Sequence, residues 1–297
     1  MTKSHVVCCL DKTHAPYNDI GFLTVNFRSH MPFTHQHALR LMLVSGALSL
    51  LAACANKPSP DISLIPTKTE QQTSKEGLFT QPVKWKHTQP GCTGECPSIE
   101  LDSIVFPGTP KLSALIDHAL AVMTGVSSSG TPPYATVAEY EAYFWKTAAP
   151  RDATVLSAKA RYRSKSLTTV ELNTWQYMTG AAHGVSATQF LNWSNATQKV
   201  LGLADVLEPN RHDAYIAVLK QAHARWLATH PDARNDPDTF SRLWPFQPSN
   251  NFAFTDEGLV VKYDSYQIAP YSSGQPELHV PYSDLRGILR PEYLPHA

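Results

Sequence analysis

Residues 179–184 (TGAAHG) form the most suggestive polar motif of the sequence. Small residues let a second backbone or a ligand come close, and a single histidine there, His183, could act as a general base or anchor a ligand. In the alternative interpretation, Gly180 and Gly184 shape a tight connection that His183 fixes by hydrogen-bonding the backbone. We favour the structural interpretation, because no carboxylate or nucleophile stands at a fixed spacing from the histidine.

A second group of residues that could bind a ligand lies near the C-terminus. Tyr266, Tyr271 and Tyr282 flank a turn that contains Gly274. Exposed tyrosines give a large contact area at low cost in side-chain entropy, so they could form a recognition patch, but they could equally pack a sheet. We predict Tyr266, Tyr271, Gly274 and His183 as ligand-binding residues.

Cys92 and Cys96 stand close together around Gly94. In an oxidising compartment this spacing on a loop predicts a small disulfide. A metal site with His87 as third ligand is one alternative, but a structural zinc site needs four ligands, and no second pair is suitably spaced. A redox-active pair is another, but such a pair normally opens a helix with C-x-x-C spacing.

Other catalytic motifs are absent or weak. The sequence contains no H-E-x-x-H, no P-loop and no dinucleotide-binding fingerprint. Asp205 with Glu208, or Glu139 with Glu141, could form a glycosidase pair, but carboxylates in loops and at helix starts are usually solvated or capping. We therefore expect no metal, no cofactor and no assigned catalytic residue, with His183 as the alternative.

Hydrophobic periodicity predicts the elements that position these residues. Alternation predicts a strand at residues 98–106, and the pairs 154–163 with 167–177 and 185–193 with 199–203 as hairpins. Helices are predicted from Leu112 to Met123, after the capping box that Thr136 begins, and from Asn210 to Pro231. Strands at 252–254, 259–263 and 277–282 follow, then a short helix at 284–289.

The N-terminal part has the layout of a lipoprotein signal. Residues 41–50 are apolar, follow Arg40 and end in small residues before Cys54. This pattern predicts cleavage before Cys54 and acylation of its sulfur, including by palmitate, with translation starting at Met31. Residues 55–77 are rich in Pro, Ser, Thr, Lys and Gln, which predicts a flexible tether.

Charge and sorting signals limit the partners. The 297 residues carry 25 Lys and Arg and 25 Asp and Glu, so the net charge is zero and nucleic acid is not expected as a partner. The expected partner is the membrane, through the lipid on Cys54. Because Ala55 rather than Asp follows the lipidated cysteine, sorting by analogy predicts the outer membrane, facing the periplasm or the surface.

Three separated blocks resemble the RsiV-like family, which carries the DUF3298 domain. They are Cys96-Pro97 with the following strand and helix, residues 180–184 with 192–207, and residues 263–274 (YDSYQIAPYSSG) with 277–282 (ELHVPY). The resemblance implies an α/β chain of the α+β type, with antiparallel sheets and packed helices in two halves of one globular unit. The expected division is a signal peptide at 1–53, lipidated N-terminus and tether at 54–77, and halves at 78–175 and 176–297.

The resemblance also suggests a function. The best-understood relative is a membrane-spanning anti-sigma factor whose outer domain binds lysozyme, and related domains accompany a peptidoglycan deacetylase. The expectation is a non-catalytic recognition domain of the cell envelope that binds lysozyme or a wall-derived ligand such as peptidoglycan. The alternative is a peptidoglycan hydrolase or a deacetylase-associated enzyme that uses His183.

Overall fold

The computed structural model of the chain describes residues 79–125 and 132–295. The predicted signal peptide, the start at Met31, the lipid attachment at Cys54 and the tether lie outside these residues. The described residues belong to the compact unit Pro58–Ala297.

Six strands form the larger sheet in the order in which they occur in the chain. They are β1 (Gln81–Thr88), β2 (Ser98–Val105), β3 (Ala153–Arg163), β4 (Leu167–Tyr177), β5 (Val185–Ser194) and β6 (Lys199–Val200). All neighbours are antiparallel except β2 and β3, which run parallel. A parallel pair needs a crossover, and two helices supply it: α1 (Pro110–Val122) and α2 (Val137–Thr147).

The two helices cover one face of this sheet. Leu112, Ile116 and Leu120 lie one helical turn apart on α1 and are buried, in the same core cluster as Val170 and Leu172 of β4. The predicted capping box of α2 is half formed. The side chain of Thr136 accepts the Glu139 N–H, but the Glu139 carboxylate accepts the N–H of Ala135 rather than that of Thr136.

The smaller sheet is antiparallel and contains β7 (Phe252–Phe254), β8 (Gly258–Lys262) and β9 (Glu277–Pro281). The other α-helices of the described residues are α3 (Leu203–Val206), α4 (His212–Thr229), α5 (Pro231–Asn235) and α6 (Pro237–Leu243). Tyr215 and Leu219 of α4 share a core cluster with the small sheet and with Leu167 of β4. The strand β4 therefore contributes to both cores of an α+β fold, the class that the family resemblance implied; the larger sheet differs from the expected antiparallel arrangement at the parallel β2–β3 pair.

Several local predictions differ from the structure. Asn210 does not cap α4, since Arg211 is the N-cap residue and Asn210 has a φ of 62°. The strand β6 is only two residues long, and the strand predicted at 259–263 ends at Lys262. In place of the closing helix, a 3-10 turn spans Tyr282–Leu285, because the backbone becomes extended at Arg286.

Cys92 and Cys96 are joined by a disulfide in the loop between β1 and β2, with their Cα atoms 5.8 Å apart. None of the helices in residues 79–125 and 132–295 combines the length and the hydropathy that a membrane-spanning helix requires.

Candidate functional site

Three of the four predicted ligand-binding residues bring their rings together. His183 lies in the connection between β4 and β5, whereas Tyr266 and Tyr271 lie between β8 and β9. The imidazole of His183 stacks on the Tyr271 ring with centroids 4.0 Å apart and planes 25° apart. Its Nε2 atom is 3.0 Å from the Tyr266 hydroxyl. Residues more than eighty positions apart in the chain thus form one cluster.

The hydrogen bonds of His183 define what its ring can do. Its Nδ1 lies 3.0 Å from the carbonyl oxygen of Gly184, which can only accept, so Nδ1 is the donor. A neutral ring then offers Nε2 as an acceptor for the Tyr266 hydroxyl. No described carboxylate contacts the imidazole by hydrogen bond or ion pair. In this arrangement both ring nitrogens already have partners, and the histidine holds the tyrosine in place.

Trp244 extends the cluster, and the sequence analysis did not identify it. It follows α6, and its ring centroid lies 6.1 Å from that of Tyr266. Tyr266 is in turn 5.7 Å from Tyr271. We call His183, Tyr266, Tyr271 and Trp244 the aromatic surface. The available signal was an aromatic residue in a segment without strand or long-helix periodicity, but its contact with Tyr266, 22 residues later, could not be inferred.

The loop that carries the tyrosines has a closed conformation. Tyr266 has a φ of 71°, which is unusual for a residue with a bulky side chain. Its backbone N–H donates a hydrogen bond to the carbonyl oxygen of Ala269. Gly274 has a φ of 67° and ends the 3-10 turn Tyr271–Ser273. Its carbonyl accepts the Ser265 hydroxyl at 3.0 Å. In the structure Gly274 thus shapes the loop rather than adding a side chain to the surface.

Asp264 ties this loop to β5. Its Oδ1 accepts the N–H of Thr188 at 2.7 Å and the side-chain amide of Gln275 at 3.1 Å. Burial raises the pKa of the Asp264 carboxyl, and these hydrogen bonds oppose that effect without cancelling it. The Asp264 carboxylate therefore anchors the start of the loop, two residues before Tyr266.

A charged network between the two sheets supports the same loop. Lys262 of β8 lies 2.6 Å from Glu171 of β4, and Arg161 of β3 bridges Glu171 at 3.2 Å and Glu277 of β9 at 2.7 Å. Desolvation alone would raise the pKa of Glu171. The hydrogen bonds from Lys262 and Asn173 and the two positive charges outweigh it, so that pKa is lowered. Two cations and two carboxylates compensate one another, so the network is structural.

Gly184 is required by close packing beneath the surface. A Cβ atom at this position would overlap the indole of Trp175 on β4. The absence of a side chain lets the β4 to β5 connection lie against the indole, which fixes the backbone beside His183.

Other residues that the sequence offered lie outside the aromatic surface. The Tyr282 hydroxyl donates to the carbonyl of Thr255 at 3.0 Å, which gives it a structural partner. Asp205 accepts the N–H of Gly202 and caps α3. Among the described residues, no three His, Cys, Asp or Glu side chains converge so as to hold a metal ion.

A contact between His87 and Glu141 was also missed. His87 Nδ1 lies 2.8 Å from a Glu141 oxygen, and Trp145 donates to the same oxygen at 3.3 Å. Trp85 stacks on His87 with centroids 4.3 Å apart. Because these residues lie on β1 and α2, the contact joins the edge strand of the large sheet to a helix.

Comparison with known proteins identifies relatives of this architecture. The profile of the family described as "Protein of unknown function (DUF3298)" matches residues 204–283, which include Trp244, Tyr266 and Tyr271. No curated protein is significantly similar to the chain.

Two solved structures are similar over most of the chain. A DUF3298 family protein from Pseudomonas aeruginosa PAO1 is 35% identical, with a TM-score of 0.68, over 74% of this chain and 98% of that one. A member of the same family from Bacteroides fragilis NCTC 9343 is 22% identical, with a TM-score of 0.57, over 73% of this chain and 95% of that one. The second likeness concerns the fold alone.

Proposed function

We propose that this chain is a non-catalytic recognition domain of the bacterial cell envelope. The chain belongs to the DUF3298 family, a family of unknown function, so we base the proposal on the geometry of the site. Its ligand binds at the aromatic surface. In this proposal Cys54 carries a lipid that holds the domain at the outer membrane, as expected for a lipoprotein of the RsiV-like type.

The observation that carries the proposal is the convergence of half-exposed rings from three separate segments. Tyr266 remains 51% exposed although it occupies an unfavourable backbone conformation. A bulky residue held in such a conformation costs about 1 to 3 kcal/mol, a cost that surrounding structure must offset. Here the offset comes from the His183 hydrogen bond and the Asp264 tie, so the fold maintains an exposed tyrosine that it does not need for its core.

Binding fits these groups better than catalysis does. A general base must have a free nitrogen within reach of a substrate proton, and both nitrogens of His183 are engaged within the protein. Flat aromatic rings with polar edges, by contrast, are the side chains that contribute most to recognition surfaces.

Two candidate ligands follow from the envelope setting, a c-type lysozyme and peptidoglycan. The test is to titrate the purified full chain with lysozyme, following binding and residual lysis, and in parallel to sediment the chain with insoluble peptidoglycan sacculi. We expect saturable binding to one of them without release of soluble wall fragments. Absence of binding to both, or release of fragments by the purified chain, would contradict the proposal.

A further inference from the structure

A groove of about 260 Å³ opens beside the aromatic surface. It lies between the short helices α5 and α6 and the loop that leads to Tyr271. Four polar residues, Asp232, Asn235, Asp236 and Thr239, line it together with the apolar side chains of Phe240, Leu243, Trp244 and Pro270.

The groove and the aromatic surface form one continuous site. Trp244 lines the groove and also neighbours Tyr266, with centroids 6.1 Å apart. Pro270 lines the groove as well and directly precedes Tyr271 in the chain. A ligand that lies across the rings can therefore continue into the groove.

The rings of Tyr271, Tyr266 and Trp244 are neighbours in series. Tyr271 and Tyr266 are 5.7 Å apart with planes inclined by 33°, and Tyr266 and Trp244 are 6.1 Å apart with planes inclined by 30°. The spacing is similar from one pair to the next, and the tilt is nearly constant. Such a series presents repeated aromatic contacts to a ligand that is made of repeated flat units.

The polar residues of the groove have hydrogen-bonding capacity left for a ligand. Among the described residues, none forms a side-chain hydrogen bond or ion pair with Asp232 or Asn235. Asp236 is an exposed residue and uses Oδ1 to accept the N–H of Thr239 at 3.1 Å; its second oxygen has no hydrogen-bond partner among the described residues. A carboxylate accepts hydrogen bonds and an amide both donates and accepts, so these groups match a ligand rich in hydroxyls.

Resting on the function proposed above, we infer that this site binds an uncharged oligosaccharide of extended pyranose sugars. A pyranose has an apolar C–H face that stacks on an aromatic ring, and a rim of hydroxyls that bonds carboxylates and amides. Successive sugars of a β-1,4-linked chain repeat at a spacing comparable with that of the three rings. Anionic glycans are disfavoured, because two aspartates and no described Lys or Arg line the groove.

The test uses the full chain and soluble tetrasaccharides. N-acetylglucosamine tetramer and cellotetraose are titrated by calorimetry and by tryptophan fluorescence, with a galacturonic acid tetramer as the anionic probe. We expect both uncharged tetramers to bind at millimolar concentration or below, and the galacturonate at least about tenfold more weakly. Tryptophan emission should change on binding, because Trp244 contacts the sugar.

Variants separate this inference from general binding. Trp244→Ala and Asp232→Ala should each weaken tetrasaccharide affinity, the first by about tenfold, whereas Tyr143→Ala, an exposed tyrosine on α2, should leave it unchanged. Asp232 is exposed, so its variant tests the groove even if the tryptophan variant folds poorly.

The outcomes are distinguishable. If neither uncharged tetramer binds, or if both variants leave the affinity unchanged, the sugar inference is overturned; lysozyme or sacculi that still bind through Tyr271 would leave the proposed function standing. If tetrasaccharides, lysozyme and sacculi all fail to bind, both are overturned.

Discussion

The Nε2 atom of His183 lies 3.0 Å from the hydroxyl oxygen of Tyr266, a residue 83 positions later in the chain. The bond connects the β4 to β5 loop of the large sheet with the β8 to β9 loop of the small one. An exposed tyrosine in an unusual backbone conformation is thereby held by a histidine that is itself stacked on Tyr271. This contact explains how two loops make one surface.

Replacing His183 separates stacking from hydrogen bonding. We expect His183→Phe to keep the stack on Tyr271 but to lose the hydrogen bond that holds Tyr266, so that ligand binding weakens by about threefold. His183→Ala should lose both the hydrogen bond and the stack, which is worth about 0.5 to 1.5 kcal/mol, and should bind at least about tenfold more weakly. The measurement is binding to sacculi or lysozyme, whichever the wild-type chain binds. If the chain releases wall fragments and His183→Phe abolishes that release, the histidine is a general base and the account is wrong.

The backbone of Tyr266 permits a test that separates stability from function. Tyr266→Asn should leave the free energy of unfolding within about 1 kcal/mol of the wild type, because asparagine tolerates a positive φ and the relieved strain offsets the lost ring contacts. The same variant should bind ligand more weakly. Chemical denaturation and a binding titration measure the two effects, and a destabilisation above about 2 kcal/mol would show that Tyr266 is a core residue instead.

Breaking the charged network between the sheets should lower the free energy of unfolding. Glu171→Ala removes the carboxylate nearest to the largely buried Lys262, and we expect a loss of about 2 to 4 kcal/mol in the free energy of unfolding. Glu100→Ala breaks an exposed pair with Lys86 and should cost less than about 1 kcal/mol. Equal effects of the two substitutions on denaturant unfolding would refute the structural role of the network.

His223 predicts a loss of stability in weak acid. It is 5% exposed, stacks on Trp226, and burial lowers its pKa below the ordinary value of 6.5. Between that lowered pKa and 6.5, the His223 imidazole is protonated in the unfolded chain but neutral in the folded state. The free energy of unfolding therefore falls as the pH drops below 6.5, down to the lowered pKa of the folded state.

The measurement is thermal unfolding at pH 7.5 and about pH 5, which lies above the range where Glu171, with its lowered pKa, begins to lose its charge. His223→Phe should reduce the difference in Tm between the two conditions. The exposed His212→Asn is the matched control and should not. If His223→Phe keeps the full acid sensitivity, the histidine is not the source.

Much of the fold follows from local patterns, whereas the site does not. The hairpin of β3 and β4 and the helix bearing Leu112 and Leu120 were predictable because hydrophobic periodicity records which face is buried. Asn210 was mistaken for a cap because its side chain suits that position, although its backbone has a φ of 62°.

The composition of the site depends on contacts between distant segments. His183, Tyr266 and Tyr271 could be named from residue type and loop position, but their mutual stacking could not. Trp244 was missed because only the packing of α6 against the tyrosine loop gives it a role. The ion pair of Glu171 and Lys262 spans 91 residues, and no spacing rule links two strands in different sheets.

The most direct test of the account compares the wild-type full chain with the double variant Tyr266→Ala and Tyr271→Ala in binding to sacculi and to c-type lysozyme. We predict that affinity for the bound ligand falls at least about tenfold while Tm stays close to that of the wild type, with Tyr143→Ala as an unaffected control. Undiminished binding by a folded double variant would contradict the assignment of the aromatic surface, and a collapse of folding would show that these tyrosines serve the core.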